Sequence, residues 1–183
     1  MGSYVQYVGD NMGALNSAWV FIKTKTTKEL QAELDKLLQQ NQDNNKNISL
    51  GISGSRNLQN YDAFKSKLDE WAETNGKPNQ MVSGGQTGAD SFAKRYAEEN
   101  DIPFVEHHHD DPRYRYARPN KYYARNMALV NDSTHLLAFP SSYSRGRNIG
   151  RDWEKTKGGT QWTMRYAQEQ GIPVDYHWME DIE

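Results

Sequence analysis

The segment "MVSGGQTGAD", residues 81–90, sets an apolar pair ahead of three glycines, two hydroxyl residues and an acid. Met81 and Val82 read as the end of a buried strand. The glycines that follow suit neither a strand nor a helix interior, so the chain turns there. Beyond them Ala89, Phe92, Ala93, Tyr96 and Ala97 fall on one face of a helix. Strand, glycine turn and helix in succession make half of a crossover between parallel strands.

The same unit recurs on both sides. Upstream, "ISLGI" (48–52) reads as a strand and "SGSR" (53–56) as its turn. Phe64, Leu68, Trp71 and Ala72 then mark a helix that stops at Asn75 and Gly76. Downstream, the strand "PFVE" (103–106) precedes a helix carrying Tyr123, Met127 and Val130. The strand "HLLAF" (135–139), a helix with Trp162, Tyr166 and Ala167, and the strand "PVDYHW" (173–178) close the series. Strict alternation predicts an α/β fold, with a parallel sheet of about five core strands covered by helices on both faces.

Residues 1–47 read as an extension and 48–183 as the main domain. In the extension, residues 18–22 suit a strand, and Thr26 with Glu29 suits a capping box at a helix start. Leu30, Leu34, Leu37 and Leu38 share one helical face, and the apolar-free tract 39–47 reads as a linker. That leucine face fits either the main sheet or a second copy of the chain.

Composition narrows the setting. A net charge of −2 argues against a general polyanion binder, and the absence of cysteine excludes disulfides and thiolate metal sites. The longest apolar run, residues 18–22, is too short to cross a bilayer, so neither a membrane nor a secretory route is expected. The expected location is the cytoplasm.

Ligands in such sheets sit beyond the carboxyl ends of the strands. Three small-residue turns lie there: 53–56, 83–90 and "KGGT" (157–160). Glycine lets backbone approach a phosphate, and helix N-terminal amides point at it. Ser53, Gly54, Ser55, Arg56, Ser83, Gly84, Gly85, Gln86, Thr87, Gly88, Asp90, Gly158, Gly159 and Thr160 are therefore candidate ligand contacts. The spacing matches neither a Walker loop nor a complete G-x-G-x-x-G fingerprint.

Two basic stretches add charge. Residues 113–125 hold Arg113, Arg115, Arg118, Lys121 and Arg125 among four tyrosines, and residues 145–157 hold Arg145, Arg147, Arg151, Lys155 and Lys157. Arg118, Lys121, Arg125 and the neighbouring Asn126 are candidates for the ligand, with Tyr122 or Tyr123 to stack on a base. An extended nucleic acid strand suits compact glycine turns less well than a small phosphorylated ligand. In "HHHDD" (107–111), adjacent histidines on a strand would alternate sides, so no metal is expected. The candidate catalytic acids are Asp90, Glu106, Asp110 and Asp111. Asp90 also suits the first turn of a helix for electrostatic reasons.

With these motifs in order, the chain resembles the Rossmann-like SLOG superfamily, which includes the LONELY GUY and DNA-processing Smf families, and YspA-type proteins above all. The resemblance rests on "SGSR", "SGGQTGAD", Arg125-Asn126 and "GGT" (158–160), spanning about residues 48–178. It implies a nucleotide-derived ligand, including ADP-ribose-type signals, and a dimer or larger homo-oligomer. Some relatives cleave an N-glycosidic bond with a glutamate following their GGT turn, where this chain has Trp162 and Thr163. Binding without hydrolysis is therefore expected. If cleavage did occur, Asp90 or Glu106 would serve it and Arg56 would hold phosphate. The glycine string is also similar to that of molybdenum-cofactor carriers, which would bind a phosphorylated pterin. No cofactor of its own is expected. With little chain beyond this domain, the resemblance implies a stand-alone binder that sequesters a messenger, in the manner of phage sponges.

Overall fold

Alternate side chains of a strand point to opposite faces, so a strand buried on both sides must be apolar at nearly every position. The central strands meet this demand. In the computed structural model, which describes residues 27–44, 47–117 and 120–183, five strands form one wholly parallel sheet. They are β1 (Ser49–Gly54), β2 (Gln80–Ser83), β3 (Phe104–Glu106), β4 (His135–Phe139) and β7 (Val174–Tyr176). Their spatial order is β3-β2-β1-β4-β7, so strand order reverses between β1 and β4. Leu50 pairs with His135 and Gly54 with Phe139 across that seam.

The first strand runs further than the sequence predicts. Ser53 and Gly54 belong to β1, because β4 offers them a pairing partner through Ala138 and Phe139. The glycine is required at this point: a Cβ on Gly54 would collide with the Ala89 side chain.

Helices cover both faces. On one side α2 (Tyr61–Asn75) and α3 (Ala89–Glu99) bury Phe64, Leu68, Ala93 and Tyr96 against Leu50, Ile52, Met81, Leu137 and Phe139. On the other, α4 (Lys121–Asn131) and α5 (Gly159–Glu169) bury Leu129, Val130, Met164 and Ala167 against Val82, Leu136 and Ala138. Each fully buried Val, Leu, Ile, Phe or Met among them contributes about 1.5–3 kcal/mol through removal from water. Phe64, Phe139 and Phe92 pack as an aromatic group, with Phe64 and Phe139 centroids 4.7 Å apart.

Two stretches depart from the sequence-based expectation. Between β4 and α5 the chain forms a two-stranded hairpin, β5 (Tyr143–Ser144) and β6 (Arg147–Asn148). Its turn residues Arg145 and Gly146 both take positive φ, at 50° and 75°. Such a turn matches the twist of a hairpin, but an arginine at the first position hides it from sequence.

The chain divides into two units, Met1–Lys46 and Asn47–Glu183. In the first, α1 (Thr27–Asn44) exposes Leu30 and Leu34. This helix takes in residues 39–44, where a linker is predicted, because glutamine is a good helix former and no glycine or proline interrupts the tract. The strand predicted at 18–22, the capping residue Thr26, and Arg118 lie outside the described residues, as do the side chains of Leu37 and Leu38.

Candidate functional site

Four loops leave the carboxyl edge of the sheet, and the two glycine turns after β1 and β2 are bound together by backbone. The Ala89 amide donates to the Ser55 carbonyl at 3.2 Å, and the Thr87 hydroxyl donates to the Arg56 carbonyl at 3.3 Å. Gly88 makes this approach possible. Its φ is +72°, and a Cβ there would strike the Ser55 carbonyl oxygen. The β1 turn is tied to the neighbouring strand in the same way, since the Ser55 amide donates to the Phe139 carbonyl at 2.9 Å.

Beneath the second turn lies an ion pair. Arg125, from α4, places its guanidinium against Gly84, where any Cβ would collide with it. The guanidinium meets Asp90 at 3.3 Å, with both side chains 8% exposed. Asp90 also accepts the Gln86 amide at 3.2 Å. Burial pushes the Asp90 carboxyl up and the Arg125 guanidinium down, and each holds the other charged against that cost. The Arg125 Nε is buried without a hydrogen-bond partner. Asp90 is thus committed to shaping the loop. Asn126, the next residue, turns the other way and donates to the Thr163 hydroxyl of α5 at 2.8 Å.

The rim is assembled from exposed side chains. Arg56 lies with its guanidinium 5.9 Å from the centroid of Tyr122, and Lys121 is 5.5 Å from the same ring. Tyr122 stacks on His109 at 5.0 Å, and His109 Nδ1 shares a 2.9 Å hydrogen bond with the Gln86 side chain. Around Arg56 the other cations are engaged: Lys94 with Glu106, Lys121 with Asp110 and Arg125 with Asp90. Arg56 has no carboxylate partner among the described residues. Glu106 stands over Gly85, where a Cβ would come 2.5 Å from its Oε1.

Tyr122 and Tyr123 divide their roles. Tyr123 faces α5 and packs on Trp162 at 4.5 Å, so only Tyr122 stands beside Arg56. The third glycine turn supplies the N-terminus of α5 at the same edge. The Gln161 side chain donates to the Ser141 carbonyl at 2.8 Å, which fixes this helix start beside the end of β4. Gly158 is needed for that, since a Cβ would overlap the Gln161 side chain, whereas Gly159 faces open space.

The helix starts differ in a telling way. Asn60 caps α2 and Asn120 caps α4 through side-chain oxygens, at 3.0 Å to the Ala63 amide and 3.0 Å to the Tyr122 amide. The helices entered from glycine turns, α3 and α5, have no side-chain cap. Apart from the Ala89 amide, which is bonded to the Ser55 carbonyl, their first-turn amides therefore present donors at the sheet edge.

Several basic residues point elsewhere. Arg113 pairs with Asp111, Arg151 with Asp181 and Lys155 with Asp152, so each has a carboxylate of its own. His107 is buried, bonded through Nδ1 to the Tyr114 hydroxyl at 2.9 Å and through Nε2 to Asp132 at 2.8 Å. Strand alternation does not separate the histidines, because β3 ends at Glu106. Past it the Asp111 amide donates to the His108 carbonyl at 3.0 Å, and the resulting turn brings the His108 and His109 rings to 4.4 Å.

Sequence reasoning missed Ser141 and Ser142, which follow β4 at the point where strand order reverses. The Ser141 hydroxyl and the Ser142 amide both donate to Glu180, at 2.6 and 2.8 Å. Their signal was present: "PSS" after a strand is the same small-residue turn as "SGSR".

Residues 50–114 match the model of the YspA, cpYpsA-related SLOG family. The match takes in β1 from Leu50 onward, both paired glycine turns and the histidine loop. No curated protein and no solved structure gives a significant match to the chain.

Proposed function

With a YspA-related SLOG segment spanning the two paired glycine turns, we propose that this edge binds a nucleotide-derived ligand through its phosphates and leaves it intact. The observation that carries the reading is that two helix N-termini without a side-chain cap lie on an edge where Arg56 has no carboxylate partner among the described residues. Amides of the second glycine turn other than those of Gln86 and Ala89, together with amides of residues 158–160, would take phosphate oxygens, Arg56 would supply charge, and Tyr122 would stack on a base. Arg125 would act from below by holding the loop in shape.

The ligand class is an ADP-ribose-type or cyclic-nucleotide messenger, and the role is sequestration, as in a phage sponge acting in a bacterial cytoplasm. Sequestration calls for affinity on the order of nanomolar, about −12 kcal/mol. The reading against N-glycosidic cleavage rests on the turn at 158–163. It carries no acid: Thr163 bonds Asn126 and the Gly159 carbonyl, and Trp162 packs on Tyr123.

The test is to expose purified protein to a messenger mixture, denature it, and identify the released ligand by mass spectrometry. Intact ligand is expected, with calorimetric binding abolished in Arg56→Ala and in Gly85→Trp. Free base among the products would favour Glu106-assisted hydrolysis instead. Affinity unchanged in both variants would move the ligand off this edge.

A further inference from the structure

We propose that His108, His109 and Asp110 form a site for one divalent transition-metal ion of the zinc type on the rim of the sheet edge. One donor atom from each of the three lies within 4.8 Å of the others. His109 Nε2 stands 3.4 Å from Asp110 Oδ2, and His108 Nδ1 stands 3.9 Å from the same oxygen. Donors held at about 2.0–2.2 Å around a tetrahedral zinc ion are themselves roughly 3.3–3.6 Å apart, so the trio closes on a metal once His108 Nδ1 releases the hydrogen bond it accepts from the Asp110 amide at 3.3 Å.

What separates this cluster from a chance meeting of surface side chains is its outer support. Metal-bound histidines and carboxylates are oriented by hydrogen bonds from their far atoms. Here the far nitrogen of His109, Nδ1, lies 2.9 Å from the Gln86 side-chain nitrogen, and turning that side-chain amide over lets Nδ1–H donate to its oxygen and leaves Nε2 unprotonated towards the cluster; the ring is stacked on Tyr122 at an interplanar angle of 17°. The far oxygen of Asp110, Oδ1, accepts from Lys121 Nζ at 2.5 Å. In both residues the nearer atom is left facing the cluster.

The backbone carrying the donors is fixed at both ends. On one side His107 is buried between Tyr114 and Asp132. On the other Asp111 accepts the Arg113 amide at 2.8 Å and starts a single 3-10 turn (Pro112–Tyr114). Two imidazole nitrogens and one carboxylate suit a borderline ion over calcium or magnesium, which prefer all-oxygen shells. Three protein donors leave a coordination position for water or a ligand oxygen. Gln86 links the site to the second glycine turn, so a bound ion would add positive charge beside that turn.

The experiment needs no nucleotide. Metal-stripped protein is titrated with zinc by calorimetry, and with cobalt by its visible absorption. One equivalent per chain is expected, with a tetrahedral cobalt spectrum. His109→Ala and Asp110→Asn should each weaken binding at least a hundredfold. Gln86→Ala should weaken it about tenfold, as loss of an outer contact does. His177→Ala, on the far side of the sheet edge, should leave it unchanged. All four side chains are at or near the surface, and melting curves check that the variants fold. Binding that survives Asp110→Asn would reduce the site to chelation by adjacent histidines and overturn the proposal. So would the absence of any stoichiometric binding. Either result would leave the phosphate-binding test with Arg56→Ala untouched.

Discussion

At the scale of single residues, the loop geometry rests on a few contacts that allow no substitute. Gly88→Ala would force a non-glycine residue to a φ of +72° and drive its Cβ into the Ser55 carbonyl. We expect a loss of about 2–4 kcal/mol from strain and displacement of the paired turns, read as a lower melting temperature. Gly146→Ala has the same sign of φ but open space around it, so its cost should be smaller, about 1 kcal/mol. Arg125→Met leaves Asp90 buried without its partner, which costs about 3–5 kcal/mol at neutral pH. The sign of its pH dependence follows from the carboxyl. Asp90 is already raised by burial, and losing the cation raises it further, so the penalty is present above the folded value and vanishes below the unfolded one. The deficit of the variant against the wild type should therefore shrink as pH falls towards about 4, measured by urea denaturation.

Among the elements, the end of β4 offers a separate pH test. Burial raises the Glu180 carboxyl, but hydrogen bonds from Ser141 and Ser142 outweigh this and hold it below its ordinary 4.5. A depressed carboxyl stabilises the fold above its unfolded value and loses that contribution as pH falls through the folded one. Glu180→Gln should lower stability at pH 7 by about 1 kcal/mol, after discounting for solvent screening, and the gap should close in acid. Thermal melts at two pH values measure it. The elements also show how far sequence reaches. Parallel strands and buried helix faces write their period into apolar residues such as Leu50, Ile52, Phe64 and Leu68, so the sheet and its covering helices were legible. The glycine turns were legible for a different reason: Gly85 and Gly88 of the second take positive φ, which favours glycine, and Gly54 of the first stands against the Ala89 side chain. The hairpin at 143–148 and the helical course of residues 39–44 were not, since neither sequence carries an apolar period. Within the site, the partition of Tyr122 from Tyr123 and the burial of Arg125 depend on how α4 is rotated against α5. No local spacing encodes that rotation.

At the scale of the whole molecule, the described helices include none long and apolar enough to cross a membrane. The exposure of Leu30 and Leu34 on α1, at 55% and 49%, motivates a prediction of self-association. We expect a homodimer by light scattering at micromolar concentration, and a shift towards monomer in Leu30→Lys with Leu34→Lys. A wild type that is monomeric under those conditions would refute it. The reversal of strand order between β1 and β4 has another consequence, which concerns synthesis. Ile52 of β1 pairs with Leu137, some 85 positions later, and Gly54 with Phe139. At about 5–20 residues per second, the ribosome needs several seconds to deliver that partner. Once β3 has followed, and until β4 arrives, β3, β2 and β1 make up a three-stranded fragment whose β1 edge is bare and open to other nascent chains. The emerging protein is thus most exposed to aggregation before its fourth strand appears, and chaperone capture should peak on ribosomes stalled short of residue 139.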